Sequence, residues 1–314
     1  MLSFFTRSHA LIVTASVLWA LMYVVRTVLV HHVNILVLTS VSLGLGALFL
    51  ACWVRPSPRR LGAFLRRYPW HVPLMSVAMM TGSVSMMLAL THLGVGVATV
   101  LGRIETLAVL VLAVIFLGEK LSLKALPWGA LALGAACWVA SPHPLTIDWA
   151  GSDGLGLLGI SATILCYGIS SIMGRFLISS SGIAAPDLAF LRCSMGSLAA
   201  LPLLVFVPTG ELVVHLTPLH WGMLIVSSTF CLGLATIFYY KGLRNVDAPT
   251  ASFLEMTTPA FCVVLGCLFL GEHLAPTQWI AMPILLGAVL QIVRVGANQR
   301  RLKKLAKESL IVNV

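Results

Sequence analysis

The sequence predicts an all-α membrane protein, with ten transmembrane helices arranged as two inverted five-helix repeats. Three observations carry that expectation: ten apolar stretches fill nearly the whole 314-residue chain, the loops on one side of them lack Lys and Arg, and the second half repeats the first at a fixed offset. With 59% hydrophobic residues, 10% charged residues and a mean hydropathy of +1.00, a soluble fold would have too little polar surface to show water.

A hydrocarbon core of about 30 Å takes roughly 20 helical residues at about 1.5 Å each. On that measure the spans lie near 9–31, 35–54, 71–91, 95–117, 124–140, 154–175, 187–207, 218–240, 248–270 and 277–294. The first is too long for a secretory signal and lacks a small-residue cleavage site. The connections carry turn chemistry, such as Pro56-Ser57-Pro58, Ser141-Pro142-His143-Pro144 and Pro208-Thr209-Gly210, and none is long enough for a soluble domain. A β-barrel is excluded because the apolar runs are continuous and do not alternate.

Cations near span ends are held on the cytoplasmic side. With the amino terminus inside, the inner segments hold 17 of the 20 Lys and Arg, among them Arg55, Arg59, Arg60, Arg66 and Arg67. The outer loops, 32–34, 92–94, 141–153, 208–217 and 271–276, hold none and carry Asp148, Asp153, Glu211 and Glu272. Both termini are therefore expected in the cytoplasm. The net charge of +10 then reads as topology signal and not as a nucleic-acid footprint. The basic run Arg300-Arg301-Leu302-Lys303-Lys304 reads as a stop signal after the last span, with a grip on anionic membrane lipid the lesser reading. The seven cysteines lie in or beside spans with no C-x-x-C pair and read as packing residues. No pattern points to a metal or a cofactor.

The internal repeat appears when Phe116-Leu117-Gly118-Glu119-Lys120-Leu121 is laid over Phe269-Leu270-Gly271-Glu272-His273-Leu274, an offset of 153 residues. Ala98 then falls on Ala251 and Gly134-Ala135 on Gly287-Ala288, while Leu18-Trp19-Ala20 matches Cys166-Tyr167-Gly168 at a slightly different offset. The domains are accordingly 1–148, 149–296 and a basic tail at 297–314. Five crossings per half force the second copy to enter from the opposite side, which is the architecture of secondary transporters.

These residues resemble the EamA-type carriers of the drug/metabolite transporter superfamily over almost the full chain. The resemblance rests on the segments Ala89–Ser122 and Tyr239–Leu274, each closing on Gly-Glu-x-Leu. It implies transport of a small organic solute and specifies no particular one. One departure is that Pro259 has Thr106 as its counterpart, so the ninth helix is expected to bend where the fourth need not.

Charge at membrane depth is costly and by default faces a partner or a wet cavity. Five residues qualify: Arg26, Arg103, Glu105, Arg192 and Glu255. Arg26 lies close enough to the outer end of its span to snorkel. Arg103 and Glu105 point about 200° apart on one helix and need separate partners. Arg103 with Glu255 is the simplest cross-repeat pair, and Glu105 could meet Arg192. The alternative is that these charges neutralise one another and lock the bundle. As a solute site, an Arg would hold a carboxylate or phosphate while a carboxylate holds an amine or carries a proton, which leaves an amphoteric cargo and proton coupling both open. Thr99, Thr106, Ser252, Thr257 and Thr258 offer hydroxyls, although such groups commonly bond to their own backbone. Trp19 packs in the core or on a solute. Tyr239 and Tyr240 fit the interfacial belt better than a gate, and Trp70, Trp149, Trp221 and Trp279 belong to that belt. Glu119 and Glu272 are expected to cap the starts of the helices that follow them.

The expected function is export of a small organic metabolite, such as an amino acid, across a cell membrane. The competing readings are a membrane-embedded enzyme and a lipid or solute channel. The enzyme lacks support: there is no H-E-x-x-H, no aspartate pair within spans, and the histidines sit at span edges without ligand spacing.

Overall fold

In hydrocarbon no water is present to bond a bare N–H or C=O, so a crossing backbone satisfies itself as helix. A computed structural model describes residues 6–119, 123–140, 154–212, 216–271 and 275–312, with the side chains of 90–91, 94–97, 99–100, 140, 270 and 299–312 outside that description. Every regular element among the described residues is helical. The first half holds α1 (Arg7–Leu29), α2 (Ile35–Val54), α3 (Pro58–Arg67), α4 (His71–Gly102), α5 (Glu105–Leu117) and α6 (Leu126–Ala140). The second holds α7 (Gly154–Ser180), α8 (Ala185–Ala200), α9 (Thr209–Leu212), α10 (Pro218–Val226), α11 (Ala235–Leu243), α12 (Ala248–Glu255), α13 (Thr258–Leu270) and α14 (Pro276–Val312). A π-helical segment, Ser227–Leu234, joins α10 to α11. Eight helical stretches are long and apolar enough to cross a membrane, and two shorter apolar helices, Glu105–Leu117 and Leu126–Val139, accompany them.

Local chemistry sets the ends. Asn34 Oδ1 accepts from Leu36 N–H at 2.9 Å to start α2, and Asp247 Oδ1 accepts from Thr250 N–H at 2.9 Å to start α12. Gly118 and Gly271, at equivalent places in the two repeats, stop α5 and α13 at φ of 61° and 67°. That left-handed turn explains the glycine of each Gly-Glu motif.

Three features differ from the sequence expectation. The connection at 92–94 is no open loop: α4 is one 32-residue helical run. It nevertheless doubles back, because a Cβ at Gly102 would lie 3.8 Å from Met86, while straight helix would separate those residues by about 24 Å. Ala89 and Ala98 pack together on Ile160 at the reversal, and their small size permits the close return. The segment after α2 forms a short amphipathic helix, α3, with only Leu61 buried. The fourth span breaks as the ninth does. The chain turns out of helix at Arg103-Ile104 and again at Met256-Thr257, equivalent positions in the repeat. Proline is therefore not the cause of both breaks, and Pro259 sits harmlessly in the first turn of α13.

Repeat mates run antiparallel. The end of α5 meets the start of α12, where Glu119 Oε2 accepts from Ala248 N–H at 2.8 Å. The end of α6 meets the start of α14, where Gln278 Nε2 donates to Val139 O at 2.9 Å. Outside those mates, the end of α11 meets the start of α1, where Asn245 Nδ2 donates to Ser8 Oγ at 3.2 Å. Glycine allows that last approach, since a Cβ at Gly242 would fall 2.5 Å from Ile12 and 2.7 Å from the backbone oxygen of Ser8. Gly242→Ala is therefore expected to destabilise the purified protein by about 1–3 kcal/mol. Gly287→Ala, which meets nothing within 4 Å, should leave the thermal midpoint unchanged.

Candidate functional site

The two helix breaks face one cavity. At each break the bonding tightens to i→i−3: Ile104 N–H donates to Leu101 O at 3.0 Å and Leu107 N–H to Ile104 O at 2.9 Å, while Thr257 N–H donates to Leu254 O at 3.1 Å. The cavity holds about 900 Å³ of empty space, its open mouth included. Equivalent positions of the two repeats line it in pairs: Gly102 with Glu255, Arg103 with Met256, and Glu105 with Thr258.

Arg103, Glu105, Glu255, Arg192, Thr106, Ser252, Thr258 and Trp19 all line this cavity. The side chain of Thr99 lies outside the described residues, as do Glu272 and its expected cap. Thr257 is not a lining residue, and its hydroxyl donates to Leu254 O at 2.7 Å.

The expected pairing of Arg192 with Glu105 is replaced by other partners. Arg192 Nη1 donates to Tyr240 Oη at 3.3 Å, Nη2 donates to the Met79 sulfur at 2.7 Å, and the guanidinium lies over the Tyr240 ring at 5.7 Å. Tyr240 is fixed in turn by donating to the Met75 sulfur at 3.3 Å and by Gly174, where a Cβ would come within 2.9 Å of the ring. Among the described residues no carboxylate lies within ion-pair distance of Arg192. It is held by an aromatic face and thioethers, which orient its fork without cancelling its charge.

Glu255 interacts with the Tyr239 hydroxyl, and its Oε1 is buried with no hydrogen-bond partner. Arg103 and Arg192 act on it through space. Its carboxylate stands in the last turn of α12, the electronegative end of a helix, where a cation beside it is favourable. Glu105 begins α5, at the electropositive end, and interacts through space with Glu255, Arg103 and Arg192. The cavity thus carries both signs, each with unused bonding capacity.

Three other placements depart from expectation. Tyr239 and Tyr240 are buried at 3% and 1% exposure, so they are core and not belt, and Tyr239 is a cavity wall packed on Trp19 at 5.2 Å. Arg26 does not snorkel but is buried beside Tyr23 and Tyr167. Among the described residues Glu119 does not cap α6, the helix that follows it. It reaches across to the other half, where Oε1 accepts from Arg175 Nε at 3.1 Å and Oε2 caps α12, while Arg175 Nη1 also donates to Leu243 O. The sequence reading missed Met22, Tyr23, Met79, Tyr167 and Thr236 in the lining. Tyr167 was discoverable, because the repeat lays it on Trp19.

Comparison with known proteins extends this picture. The profile of the EamA-like transporter family matches residues 6–141 and 154–294. The riboflavin transporter ImpX of Fusobacterium nucleatum is 26% identical over 203 residues, 64% of this chain and 66% of that protein. The threonine/homoserine exporter RhtA of Escherichia coli K12 is 26% identical over 182 residues, 57% of each. The pseudopaline exporter CntI of Pseudomonas aeruginosa is 24% identical over 134 residues, 42% of this chain and 45% of that protein. The matches thus span about two thirds or less of these relatives. A crystal structure at 17% identity superposes with a TM-score of 0.73, covering 93% of this chain and 99% of the other, and shows a shared fold. With its profile matched over most of its length, the chain belongs to the EamA-like transporter family.

Proposed function

We propose that the protein is a secondary transporter that exports a small amphoteric metabolite, an amino acid being the simplest case, by alternating access across a bacterial cell membrane. On this reading ten helices form two inverted halves, 1–148 and 149–296, with the basic tail 297–314 and both termini in the cytoplasm. The observation that carries it is the single cavity of mixed charge at two equivalent helix breaks. Broken helices are tolerated at membrane depth where they line a wet site, and paired breaks in inverted repeats are where such carriers bind. The antiparallel mates and the named cargoes of the relatives, riboflavin, threonine or homoserine, and pseudopaline, support the same reading.

In this scheme Arg192, assisted by Arg103, takes the anionic group of the solute. Glu255 takes its amine or, between solutes, a proton, with Glu105 as the second carboxylate. Thr106, Ser252 and Thr258 offer hydroxyls, and Trp19 supplies an apolar wall. The Glu119–Arg175 clasp holds the halves together at the end where α1 begins. On this reading the clasp keeps that end closed and breaks when the cavity opens there.

A panel of amino acids and related metabolites, screened by thermal stabilisation, identifies the solute, because a ligand of the folded state raises the midpoint. With that solute, Arg192→Gln should weaken binding by about 30-fold or more, and should bind the carboxamide analogue no worse than wild type does. Equal affinity of wild type and variant for the solute removes Arg192 from the site. In proteoliposomes Glu255→Gln is expected to keep solute counterflow and lose accumulation driven by a pH gradient; full accumulation would exclude Glu255 as the proton carrier. Loss of the clasp removes charge-assisted bonds of about 1.5–3 kcal/mol each. Glu119→Gln should therefore raise, by about tenfold or more, labelling of a cysteine placed at Ser171 by an impermeant thiol reagent added from the cytoplasmic side. The background for that test lacks the seven native cysteines.

A further inference from the structure

The basic face of α3 and the last turn of α2 form a feature that the transport reading does not use. On α3 the apolar side chains Leu61, Phe64 and Leu65 lie opposite Arg59, Arg60, Arg66 and Arg67. The apolar side is anchored: Leu61 is 7% exposed, and Phe64 packs on Tyr68 at 5.0 Å, which meets Phe176 of α7 at 6.3 Å. The arginines differ in their partners. Arg60 pairs with Asp187 at 3.3 Å and Arg67 lies over the Tyr68 ring at 5.7 Å. Arg55, Arg59 and Arg66 are exposed and have no carboxylate partner among the described residues.

Arg55 directly follows α2 in a left-handed conformation, φ 47°, and the turn it terminates borders an apolar groove. Phe49, Cys52 and Trp53 of α2 form one wall, and Phe230 and Leu234 of the π segment form the other. The groove holds about 780 Å³ of empty space counting its open side. Phe49 packs on both Trp53 and Phe230, at 5.4 Å and 5.8 Å, so the walls are fixed aromatic surfaces. Trp53 and the 80%-exposed Trp70 bracket α3, as aromatic residues do at the level of lipid headgroups.

We infer that α3 and the end of α2 bind one acidic phospholipid, with its phosphate held by Arg55, Arg59 and Arg66 and one acyl chain seated in the groove of Phe49, Trp53 and Phe230. A water-soluble anion would use the arginines and leave the adjoining apolar groove empty. A zwitterionic lipid would fill the groove and bring no net charge to three unneutralised guanidinium groups. An anionic headgroup with an acyl tail answers both halves, and a short amphipathic basic helix lying in the interface is the known physical form of such a contact.

The test uses the full-length purified protein and lipids matched in acyl chain, phosphatidylglycerol against phosphatidylcholine, with retained lipid counted by native mass spectrometry and the thermal midpoint as second readout. Wild type should keep phosphatidylglycerol through delipidation and gain stability from it, and should do neither with phosphatidylcholine. Each basic residue near an anionic headgroup contributes about fivefold, so R55Q/R59Q/R66Q should retain phosphatidylglycerol about a hundredfold more weakly. R55K/R59K/R66K, which keeps the charge, should behave as wild type and controls for folding and insertion. Cys52→Trp, which fills the groove, should weaken retention while leaving the preference for the acidic lipid. Equal retention of the two lipids by wild type overturns the proposal, as does a triple Gln variant that folds and holds phosphatidylglycerol undiminished. Unchanged retention by Cys52→Trp overturns the acyl-chain seat.

Discussion

Everything in this architecture follows from the need of a backbone in hydrocarbon to satisfy its own N–H and C=O groups. Helices meet that need along most of the described spans, but at Arg103-Ile104 and Met256-Thr257 the chain turns out of helix and the i→i−4 ladder lapses. Such lapses are stable only beside a polar space, and both lie on the wall of one cavity. The breaks also present helix ends to that space: the electropositive start of α5 and the electronegative finish of α12. The backbone alone therefore supplies a polarised site, and the ionisable side chains add to it.

The second determinant is how those charges are left. Buried ions ordinarily neutralise one another, and truncating one member of such a pair is strongly destabilising. Here Arg192 rests on Tyr240 and Met79, and Glu255 rests on Tyr239, so neutral groups fix positions that salt bridges would otherwise cancel. Two ion pairs among the described residues join the halves, Arg60 with Asp187 and Glu119 with Arg175, and neither lines the cavity; the second lies near the start of α12 and serves cohesion. The charges that line the cavity and those of the clasp are thus kept apart in the fold.

Spans, repeat and family were legible because they depend on composition and on register, both one-dimensional properties. The buried ions were legible for the same reason: a charge within an apolar run stands out, and Arg103, Glu105, Arg192 and Glu255 reach one cavity. Their partners were not, since pairing depends on rotamers and on neighbours distant in sequence; Met79 lies 113 residues from Arg192. Proline was weighted too heavily as a helix breaker, so the break at Arg103 went unseen although the repeat register set it opposite Met256. Tyr239 and Tyr240 were misplaced because nearness to a span end says nothing about which face of the helix looks inward.

The two repeats present the same positions with different chemistry, glycine at 102 against glutamate at 255 and glutamate at 105 against threonine at 258. On the alternating-access reading proposed above, in which inverted halves exchange roles, a solute arriving from one compartment meets its electrostatic anchors in a different order from one arriving at the opposite face. Half-saturation on the two faces is then unequal. For the uncoupled part of the cycle no carrier shifts an equilibrium, so the maximal velocities must differ in the compensating sense. On that reading, divergence between the repeats makes a kinetic rectifier from a mirror-like frame.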